Sequence, residues 1–377
     1  MRVQIRFGWI VAAAILGLSA CGGAASAPSP AASSPSAASG AAAPVSSAAA
    51  TGSATGSATA AKPSSAAAKP SAGAAVRLGA SQNITSNAPI WLTKQAGLFE
   101  KNGLNVDLQS INATTAIKQL VAGQLEGTVA GAPESITARA AGSPIQIVAV
   151  LQTSCDMEMV VPNNITAVEQ LKGKVVGVIT KPSVNGICTV ADLRKHGLEP
   201  DKDYKLIETG SASAYASLVA AMQAGNVAAG AIQPDLAHKL EASAPFHTLY
   251  DMGTEPGLLT AASSVTFADA FIKAHPDEVQ KVVDTLLQGE AYYKQHKDEA
   301  EALLKSTYKM TDQTQIDETY ARQVQLMAKD ITPRAELFPD MVAALAQVQP
   351  EVKQLDLSTL LNPTFAKSAM DRGLTNF

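Results

Sequence analysis

The hydrophobic and polar positions divide the chain into a short apolar run, a long segment of small residues and a region of alternating strand and helix patterns. The last region begins at Val76 and contains short β-branched or apolar runs of the length typical of strands. Between these runs, apolar residues at spacings of three and four predict helices, which is the alternation of an α/β protein. The predicted strands are residues 76–80, 105–111, 125–130, 145–151, 157–161, 174–180, 204–208 and 227–232.

The stretch from Ile145 to Pro162 has the pattern of a chain that leaves one lobe and enters another. It contains two apolar runs separated by the polar sequence Thr-Ser-Cys-Asp at residues 153–156. We interpret these polar residues as a crossing point and expect a ligand cleft beside them. A second crossing is expected between Thr248 and Phe267, where the sequence is apolar but irregular.

Longer helices are predicted after the second crossing. Residues Asp277 to Tyr293 carry apolar side chains at positions 279, 282, 283, 286 and 287, the spacing of a helix that packs one face on a core. Further helices are predicted at 298–308, 313–328 and 336–347. We expect them to form a cap on the first lobe.

A short repeat supports two similar lobes. Leu-Val-Ala-Gly-Gln-Leu at residues 120–125 is followed by Pro-Glu at 133–134, and Met-Gln-Ala-Gly-Asn-Val at 222–227 is followed by Pro-Asp at 234–235. In each copy a glycine ends a predicted helix, a strand follows, and a proline comes after the strand.

The first residues have the features of a bacterial export signal. Arg2 and Arg6 precede an apolar run at residues 7–18, which is shorter than the roughly 20 residues that a membrane-spanning helix needs. Leu-Ser-Ala-Cys at residues 18–21 resembles the lipobox of bacterial lipoproteins, in which the cysteine is lipidated. We therefore expect residues 1–20 to be a signal peptide and Cys21 to be the lipid anchor of an extracytoplasmic protein.

Residues 21–75 are predicted to be a lipidated cysteine followed by a disordered tether. Almost all residues after Cys21 in this segment are Ala, Ser, Pro, Gly or Thr, a composition that cannot form an apolar core. The rest of the chain is longer than one core usually supports. We assign residues 76–156 and 260–377 to a first lobe with a C-terminal helical cap, and residues 157–259 to a second lobe.

Composition argues against several functional classes. The formal net charge is −4 at pH 7, and nucleic-acid-binding proteins carry a basic patch that this chain lacks, so no nucleic acid partner is expected. The five histidines have no metal-ligand spacing, and neither a phosphate-binding glycine loop nor a nucleophile elbow occurs. We predict no cofactor, no metal and no catalytic residue.

The cysteines leave one question open. With Cys21 assigned to the lipid, Cys155 and Cys188 remain, and an oxidising compartment allows a disulfide between them. Such a bond needs Cα atoms about 4.4–6.8 Å apart, which a sequence does not specify. Cys155 is therefore either a free residue of the pocket or one half of a bond that limits motion of the crossing.

Five short motifs follow one another along the chain. They are Ala-Pro-Ile-Trp-Leu at 88–92, Gly-Leu-Phe-Glu-Lys-Asn-Gly-Leu at 97–104, Leu-Val-Ala-Gly-Gln at 120–124, Leu-Lys-Gly-Lys-Val-Val-Gly-Val at 171–178 and His-Pro-Asp at 275–277. In this order, the region 76–377 resembles the solute-binding proteins of ABC importers for nitrate, sulfonate, bicarbonate and thiamine-pyrimidine precursors.

The resemblance implies a fold and a function. The fold is the type 2 fold of periplasmic binding proteins, with two α/β lobes, each a mixed sheet flanked by helices, joined by two hinge strands. The implied function is to capture a small organic molecule or anion between the closing lobes and to deliver it to an ABC permease and its ATPase. A monomer held at the membrane only by its lipid is expected.

Candidate ligand residues follow from the position of binding sites in open α/β sheets. Ligands bind beyond the carboxyl ends of the strands, where loops and helix N-termini offer free N–H groups. Glu134, Asp156 and Asp235 outnumber Lys181 among the charged residues there, so we expect a neutral or cationic ligand rather than nitrate or a sulfonate. The candidates are Gln82, Asn83, Asn87, Thr114, Thr115, Gly131, Glu134, Thr153, Cys155, Asp156, Ser183, Asn185, Ser213, Tyr215, Gln233 and Asp235.

Two other functions stay open at this point. A sensory lipoprotein would bind a ligand in the same cleft and pass a signal to a membrane partner. An enzyme similar to the thiamine-pyrimidine synthases would share the fold, but those proteins lack an export signal, and their cysteine-rich motif is absent here. We therefore predict a binding protein and not an enzyme.

Overall fold

The computed structural model describes residues 75–377 except 211–213, 256–257 and 259. These residues form two five-stranded sheets flanked by helices. The predicted signal peptide, the predicted lipid anchor Cys21 and residues 22–74 of the predicted tether lie outside the described residues. Ala75, predicted to end the tether, is instead the first residue of a strand.

Short strands alternate with helices through most of the described chain. The strands are β1 (Ala75–Ala80), β2 (Asn105–Ser110), β3 (Gly127–Ala130), β4 (Ile145–Gln152), β5 (Glu158–Pro162), β6 (Val175–Val178), β7 (Lys205–Glu208), β8 (Ala229–Ile232), β9 (Phe246–Asp251) and β10 (Ser263–Ala268). The α-helices are α1 (Ala88–Gln95), α2 (Leu98–Lys101), α3 (Ala113–Val121), α4 (Ala132–Ala140), α5 (Val184–Lys195), α6 (Ala214–Gln223), α7 (Pro234–Ser243), α8 (Asp269–Ala274), α9 (Pro276–Gln295), α10 (Lys297–Ser306), α11 (Gln313–Leu326), α12 (Pro339–Val348) and α13 (Thr364–Asp371).

The two sheets have the same strand arrangement. The first has the order β2-β1-β3-β10-β4 and the second the order β7-β6-β8-β5-β9. In each sheet three parallel strands are followed by an antiparallel strand, β10 or β5, which arrives from the other sheet. We call the first sheet and its helices the first lobe, and the second sheet and its helices the second lobe. The two-lobed α/β fold with mixed sheets, expected from the sequence, is confirmed.

The sequence repeat corresponds to equivalent positions in the two lobes. Gly123 ends α3 with φ 69°, and Gly225 ends α6 with φ 73°, a backbone region in which other residues are strained. Pro133 and Pro234 lie in the first turns of α4 and α7, where the missing N–H of proline has little effect. Each copy therefore positions a helix N-terminus beyond the carboxyl end of a strand.

Separate apolar cores lie in the two lobes. In the first lobe, α1 and α9 pack together over the sheet, and Leu78 and Val283 are fully buried in that core. All five apolar positions of the predicted stripe on α9 are buried. In the second lobe, Met159 and Val176 belong to a core between the sheet and α5.

Two crossing segments connect the sheets, and their described residues contact each other. The first crossing segment, residues 153–157, links β4 to β5, and the second, residues 252–262, links β9 to β10. Main-chain hydrogen bonds join them, from Thr260 N–H to the Thr153 oxygen at 3.0 Å and from Met252 N–H to the Met157 oxygen at 3.0 Å. The crossing point predicted at residues 153–156 is thus present between two strands.

Several predicted boundaries are wrong. The region predicted to be irregular, 248–267, contains most of β9 and β10, and α7 was not predicted. Helices α1 and α2 are separated at Gly97, which adopts φ 66°. Helix α4 begins at Ala132, and Pro133 lies in its first turn. Within the described part of the chain, no helix has the length and apolarity needed to cross a membrane.

Candidate functional site

Most of the predicted ligand residues lie beyond the carboxyl ends of strands, on loops and first helical turns of both lobes. Ser213 lies outside the described residues. In the first lobe these positions are occupied by Gln82 and Asn83 after β1, Thr114 and Thr115 in α3, Glu134 in α4 and Thr153 after β4. In the second lobe they are occupied by Ser183 before α5, Tyr215 in α6, Gln233 before α7 and Asp235 in α7.

The two lobes touch beside the crossing segments. Gly131, just before α4, lies so near Val184 of α5 that a Cβ atom on the glycine would collide with the valine Cγ2 atom. Ile187 of α5 packs in one apolar cluster with Ile136 of α4 and with Phe338 before α12. This close approach requires glycine at position 131, and it brings the N-termini of α4 and α5 together.

Residues from both lobes meet around Asp235. Burial raises the pKa of Tyr215, and the charges of Asp156 and Asp235 add to the effect, so its phenol lies near both carboxylates. Burial and the charge of Asp235 raise the pKa of Tyr308, whose hydroxyl donates to the Ile84 oxygen at 3.2 Å. The structure thus brings together the first crossing, the start of α6 and α7, and the loop after β1.

The carboxyl group of Asp235 has few partners. Its Oδ1 atom is buried and has no hydrogen-bond partner among the described residues, and its Oδ2 atom lies 3.7 Å from Lys239 Nζ. Burial raises the pKa of Asp235, with a further contribution from the charge of Asp156, while Lys239 opposes the shift. Asp235 therefore remains available to a ligand.

Arg322 of α11 lies between the two crossing segments. Its guanidinium pairs with Asp156 of the first crossing segment and donates two hydrogen bonds, of 2.6 and 2.7 Å, to Asp251 at the end of β9. Gln323 donates to the other oxygen of Asp156 at 3.0 Å. Both oxygens of Asp156 therefore accept hydrogen bonds from the protein. Of the three carboxylates predicted to make the cleft acidic, Glu134, Asp156 and Asp235, Asp156 is not available to a ligand.

Arg322 and Gln323, which are adjacent in α11, each line a cavity. The larger, of about 190 Å³, is lined by Arg322 together with Glu158, Asp235 and Glu318. The smaller, of about 20 Å³, is lined by Gln323 and by residues of the first lobe. Burial raises the pKa of Glu158 in the larger cavity, so this carboxyl group ionises less readily than an exposed one. The cavity still contains more acidic than basic side chains.

Two of the predicted ligand residues hold the fold instead. The Asn185 oxygen accepts from Ile179 N–H at 2.8 Å, and its amide nitrogen donates to the Ala231 oxygen at 2.6 Å, so this buried side chain joins β6 to β8. The Asn87 amide donates to the Ser81 oxygen at 2.8 Å and fixes the loop before α1. Because both polar atoms of Asn185 are used internally, we no longer assign it to ligand binding, and Asn87 keeps only its oxygen for a ligand.

Cys155 and Cys188 form a disulfide, with Cα atoms 6.0 Å apart. Of the two possibilities that the sequence leaves open, the structure contains the bonded one. Both cysteines are buried, so the assignment of Cys155 as a ligand contact is wrong. The bond attaches the first crossing segment to α5 of the second lobe.

Two carboxyl groups of the first lobe were not recognised as unusual from the sequence. Glu290 Oε2 and Glu134 Oε2 are both buried without a partner among the described residues. Burial raises the pKa of Glu290 to about 8 and that of Glu134 to about 7. Glu290 follows Val283 by seven residues and Leu286 by four, so it continues the apolar stripe of α9. An acidic residue at an apolar position of this stripe is the sequence signal that could have identified Glu290 as buried.

Arg322 and Gln323 had no comparable signal, because their partners lie far away in the sequence. Asp251 and Asp156 are 71 and 166 residues from Arg322. Nothing in the local pattern of α11 indicates which acidic residues it meets. In the residues that the structure describes, no cluster of His, Cys, Asp and Glu has the geometry of a metal site.

Comparisons with known proteins give one family and many structural relatives. The family model described as NMT1/THI5 like matches residues 84–300. The periplasmic aliphatic sulphonate binding protein SsuA from Escherichia coli is 22% identical, with 77% of this chain and 92% of that chain covered and a TM-score of 0.63. The periplasmic nitrate-binding protein NrtA from Synechocystis PCC 6803 is 13% identical, with 79% and 88% covered and a TM-score of 0.55.

The fold is also shared with an enzyme. The desulfurization enzyme DSZB is 15% identical, with 79% of this chain and 99% of that chain covered and a TM-score of 0.53. No curated protein sequence matches the chain significantly. At these identities the structural likeness establishes the fold, and the function has to be argued from the residues of this chain.

Proposed function

The chain belongs to the NMT1/THI5-like family, and from this premise we propose that it binds a small solute between its two lobes and delivers it to the permease of an ABC importer. The observation that carries the proposal is the cavity beside the crossing segments, which Asp235 and Glu158 of the second lobe line together with Arg322 of α11. Clefts of this kind, between two domains, are the usual position of small-molecule sites.

Two features favour binding over catalysis. SsuA and NrtA are named as binding proteins, and both are matched over most of their length. A cysteine nucleophile requires a free thiolate, whereas Cys155, the cysteine of the crossing, is bonded to Cys188. The likeness to DSZB therefore supports the fold and not an enzymatic role.

The charges around the cleft favour a neutral or cationic solute. Asp235 and Glu158 line the larger cavity, while the positive charge of Arg322 is already paired with Asp156 and Asp251. An anion placed there would meet the carboxylates of Asp235 and Glu158, while the neighbouring Lys239 and His238 lie against Asp235 and Glu318. Although SsuA and NrtA are named for sulphonate and nitrate, we do not assign those ligands to this chain.

The proposed function also includes export of the chain and its attachment to the membrane by a lipid. We infer that residues 1–20 are removed, that Cys21 receives the lipid, and that the following small-residue segment holds the two lobes away from the membrane. The Cys21→Ala variant is expected to lose incorporation of a labelled fatty acid and to leave the membrane fraction. Unchanged labelling of that variant would show that Cys21 is not the anchor.

A solute library tests the binding proposal directly. The full chain is screened by thermal unfolding against amines, heterocycles, amino acids, sulfonates and nitrate, because a ligand at 100 times its Kd stabilises the folded state by about 2.7 kcal/mol. Cells that lack the protein are then expected to lose uptake of the stabilising solute. Stabilisation by none of the solutes, or uptake that persists without the protein, would contradict the proposal.

A further inference from the structure

A small pocket in the first lobe contains two buried polar atoms that have no partner. We propose that this pocket, at Glu290 and Gln152, is a subsite that receives the protonated primary amine of the solute. The inference rests on the proposed solute-binding function and adds to it the chemical class of the ligand. It concerns residues on α9 and β4 that lie outside the loops usually searched for ligand contacts.

The pocket lies where the first lobe meets the first crossing segment. Gln152 is the last residue of β4, immediately before that segment, and Ser263 is the first residue of β10. Gln323 forms another part of the wall, and its amide is hydrogen-bonded to Asp156 in the crossing segment. A solute held beside the crossing segments can therefore extend one end into this pocket.

The two polar atoms are unusual because neither is paired. Glu290 and Gln152 are each 6% exposed, and Glu290 Oε2 and Gln152 Nε2 are buried without a hydrogen-bond partner among the described residues. Most buried polar atoms in native proteins have a partner, so each exception calls for an explanation. Glu290 Oε2 accepts a hydrogen bond, and the Gln152 amide, which has no side-chain partner among the described residues, presents its oxygen to the pocket when it turns over. Two acceptors on the wall of one cavity then fit a hydrogen-bond donor from outside the chain.

The size and the remaining walls of the pocket select the chemistry of that group. Its volume of about 20 Å³ fits one group of the size of a water molecule or an ammonium group. Pro89, Ile90 and Leu326 supply apolar walls, which suit the methylene carbon next to an amine. A carboxyl group accepts hydrogen bonds from an ammonium group, whereas a sulfonate or a nitrate would be repelled by it.

The charge state of Glu290 agrees with this assignment. Burial alone raises its pKa to about 8, so no charged group among the described residues of α1, α2, α8, α10, α11 or α13, which pack on α9, compensates it. The Glu290 carboxyl group is therefore mostly neutral near pH 7 in the chain alone. When an ammonium group enters, the carboxyl proton passes to the solvent, and the resulting carboxylate is paired.

The test uses solutes that share a four-carbon skeleton. Putrescine and 4-aminobutanol carry a primary amine, whereas butane-1,4-diol and succinate do not, and all four are added to the general solute library. We expect the stabilising solutes of the library to carry a primary amine. The variant Glu290→Gln should bind them at least tenfold more weakly, while the control Glu336→Gln, which changes an exposed carboxylate of the same lobe, should bind them as the native chain does.

A second variant blocks the pocket without changing its carboxyl group. Ser86 lines the cavity and is only partly buried, so Ser86→Leu should fill the opening and weaken binding of amines to a similar extent. Equal binding of amines by Glu290→Gln and the native chain would show that the pocket holds only a water molecule, and would overturn the inference. Stabilisation by amine-free solutes alone would also overturn it, but would leave the proposed function intact. Stabilisation by no solute would overturn both.

Discussion

Arg322 and Asp251 are joined by two parallel hydrogen bonds, of 2.6 and 2.7 Å, although 71 residues separate them in the sequence. The same guanidinium contacts Asp156 in the first crossing segment. Asp251 ends β9 and immediately precedes the second crossing segment. One side chain of α11 therefore holds both connections between the lobes, so this helix does more than cap the first lobe.

Replacing Arg322 with alanine is expected to lower the free energy of unfolding by roughly 3 kcal/mol, because two carboxylates lose their partner at a largely buried position. Arg372 provides a matched control, since it binds Asp284 with the same pair of distances, 2.6 and 2.7 Å. Its side chain is 46% exposed, against 15% for Arg322. Arg372→Ala should therefore cost about 0–1 kcal/mol. Equal losses of the two variants in urea unfolding would contradict the assigned role of Arg322.

Reduction of the Cys155–Cys188 bond is expected to destabilise the protein. The two cysteines are 33 residues apart, and a cross-link over a loop of this length typically contributes about 2–4 kcal/mol. Thermal unfolding with and without reductant measures the difference. The double variant Cys155→Ala/Cys188→Ala should unfold at the lower temperature and should not respond to reductant. A native chain that is insensitive to reduction would argue against the bond.

The contact between Gly131 and Val184 predicts an effect on binding. A methyl group at position 131 would collide with the valine and keep the N-termini of α4 and α5 apart. Gly131→Ala should therefore weaken solute binding by about tenfold or more, which corresponds to about 1.4 kcal/mol, while the fold persists. Adding Val184→Ala removes the colliding atom and should restore most of the affinity. A double variant as weak as Gly131→Ala would refute the steric explanation.

Glu290 makes stability depend on pH. Its pKa is about 8 in the folded chain, against an ordinary value of 4.5, so the folded state retains a proton that the unfolded state releases. The contribution of Glu290 to the free energy of unfolding is complete below about pH 4.5 and is lost as the pH rises to about 8.

The variant Glu290→Gln lacks this titration. It should gain stability relative to the native chain as the pH rises through that range, by at most about 1.4 kcal/mol per pH unit. Urea unfolding of both proteins at pH 5 and pH 8 measures the change. Glu134, whose pKa is about 7, contributes in the same direction in both proteins and cancels in the comparison. Parallel pH profiles would show that Glu290 is not buried as described.

Much of the fold could be predicted because its signals are local. The eight predicted strands agree with β1 to β8 within two residues at each end. The glycines that end helices and the prolines that begin them also occur at equivalent positions of the two lobes. The motifs also indicated the family whose model matches residues 84–300. Strands β9 and β10 were missed because they carry polar residues such as His247 and Thr266, and their place in a sheet depends on partners distant in sequence.

The candidate site was only partly predictable, because the search was confined to the ends of strands. That rule located Tyr215 and Asp235, which the structure brings near each other. It also selected Asn185, whose amide is used between strands, since a side chain's partners are not visible in the sequence. Arg322 and Glu290 come from helices beyond the second crossing segment, and only tertiary packing brings each of them to its cavity.

The central claim, that a solute is bound between two lobes that close on it, is tested most directly by a distance between the lobes. Spin labels are placed at Lys101→Cys in the first lobe and Lys172→Cys in the second, both exposed positions. The distance between the two spin labels is measured by pulsed electron paramagnetic resonance with and without the stabilising solute. The proposed function predicts a shorter and narrower distance distribution in the presence of the solute. An unchanged distribution with the solute bound would contradict it.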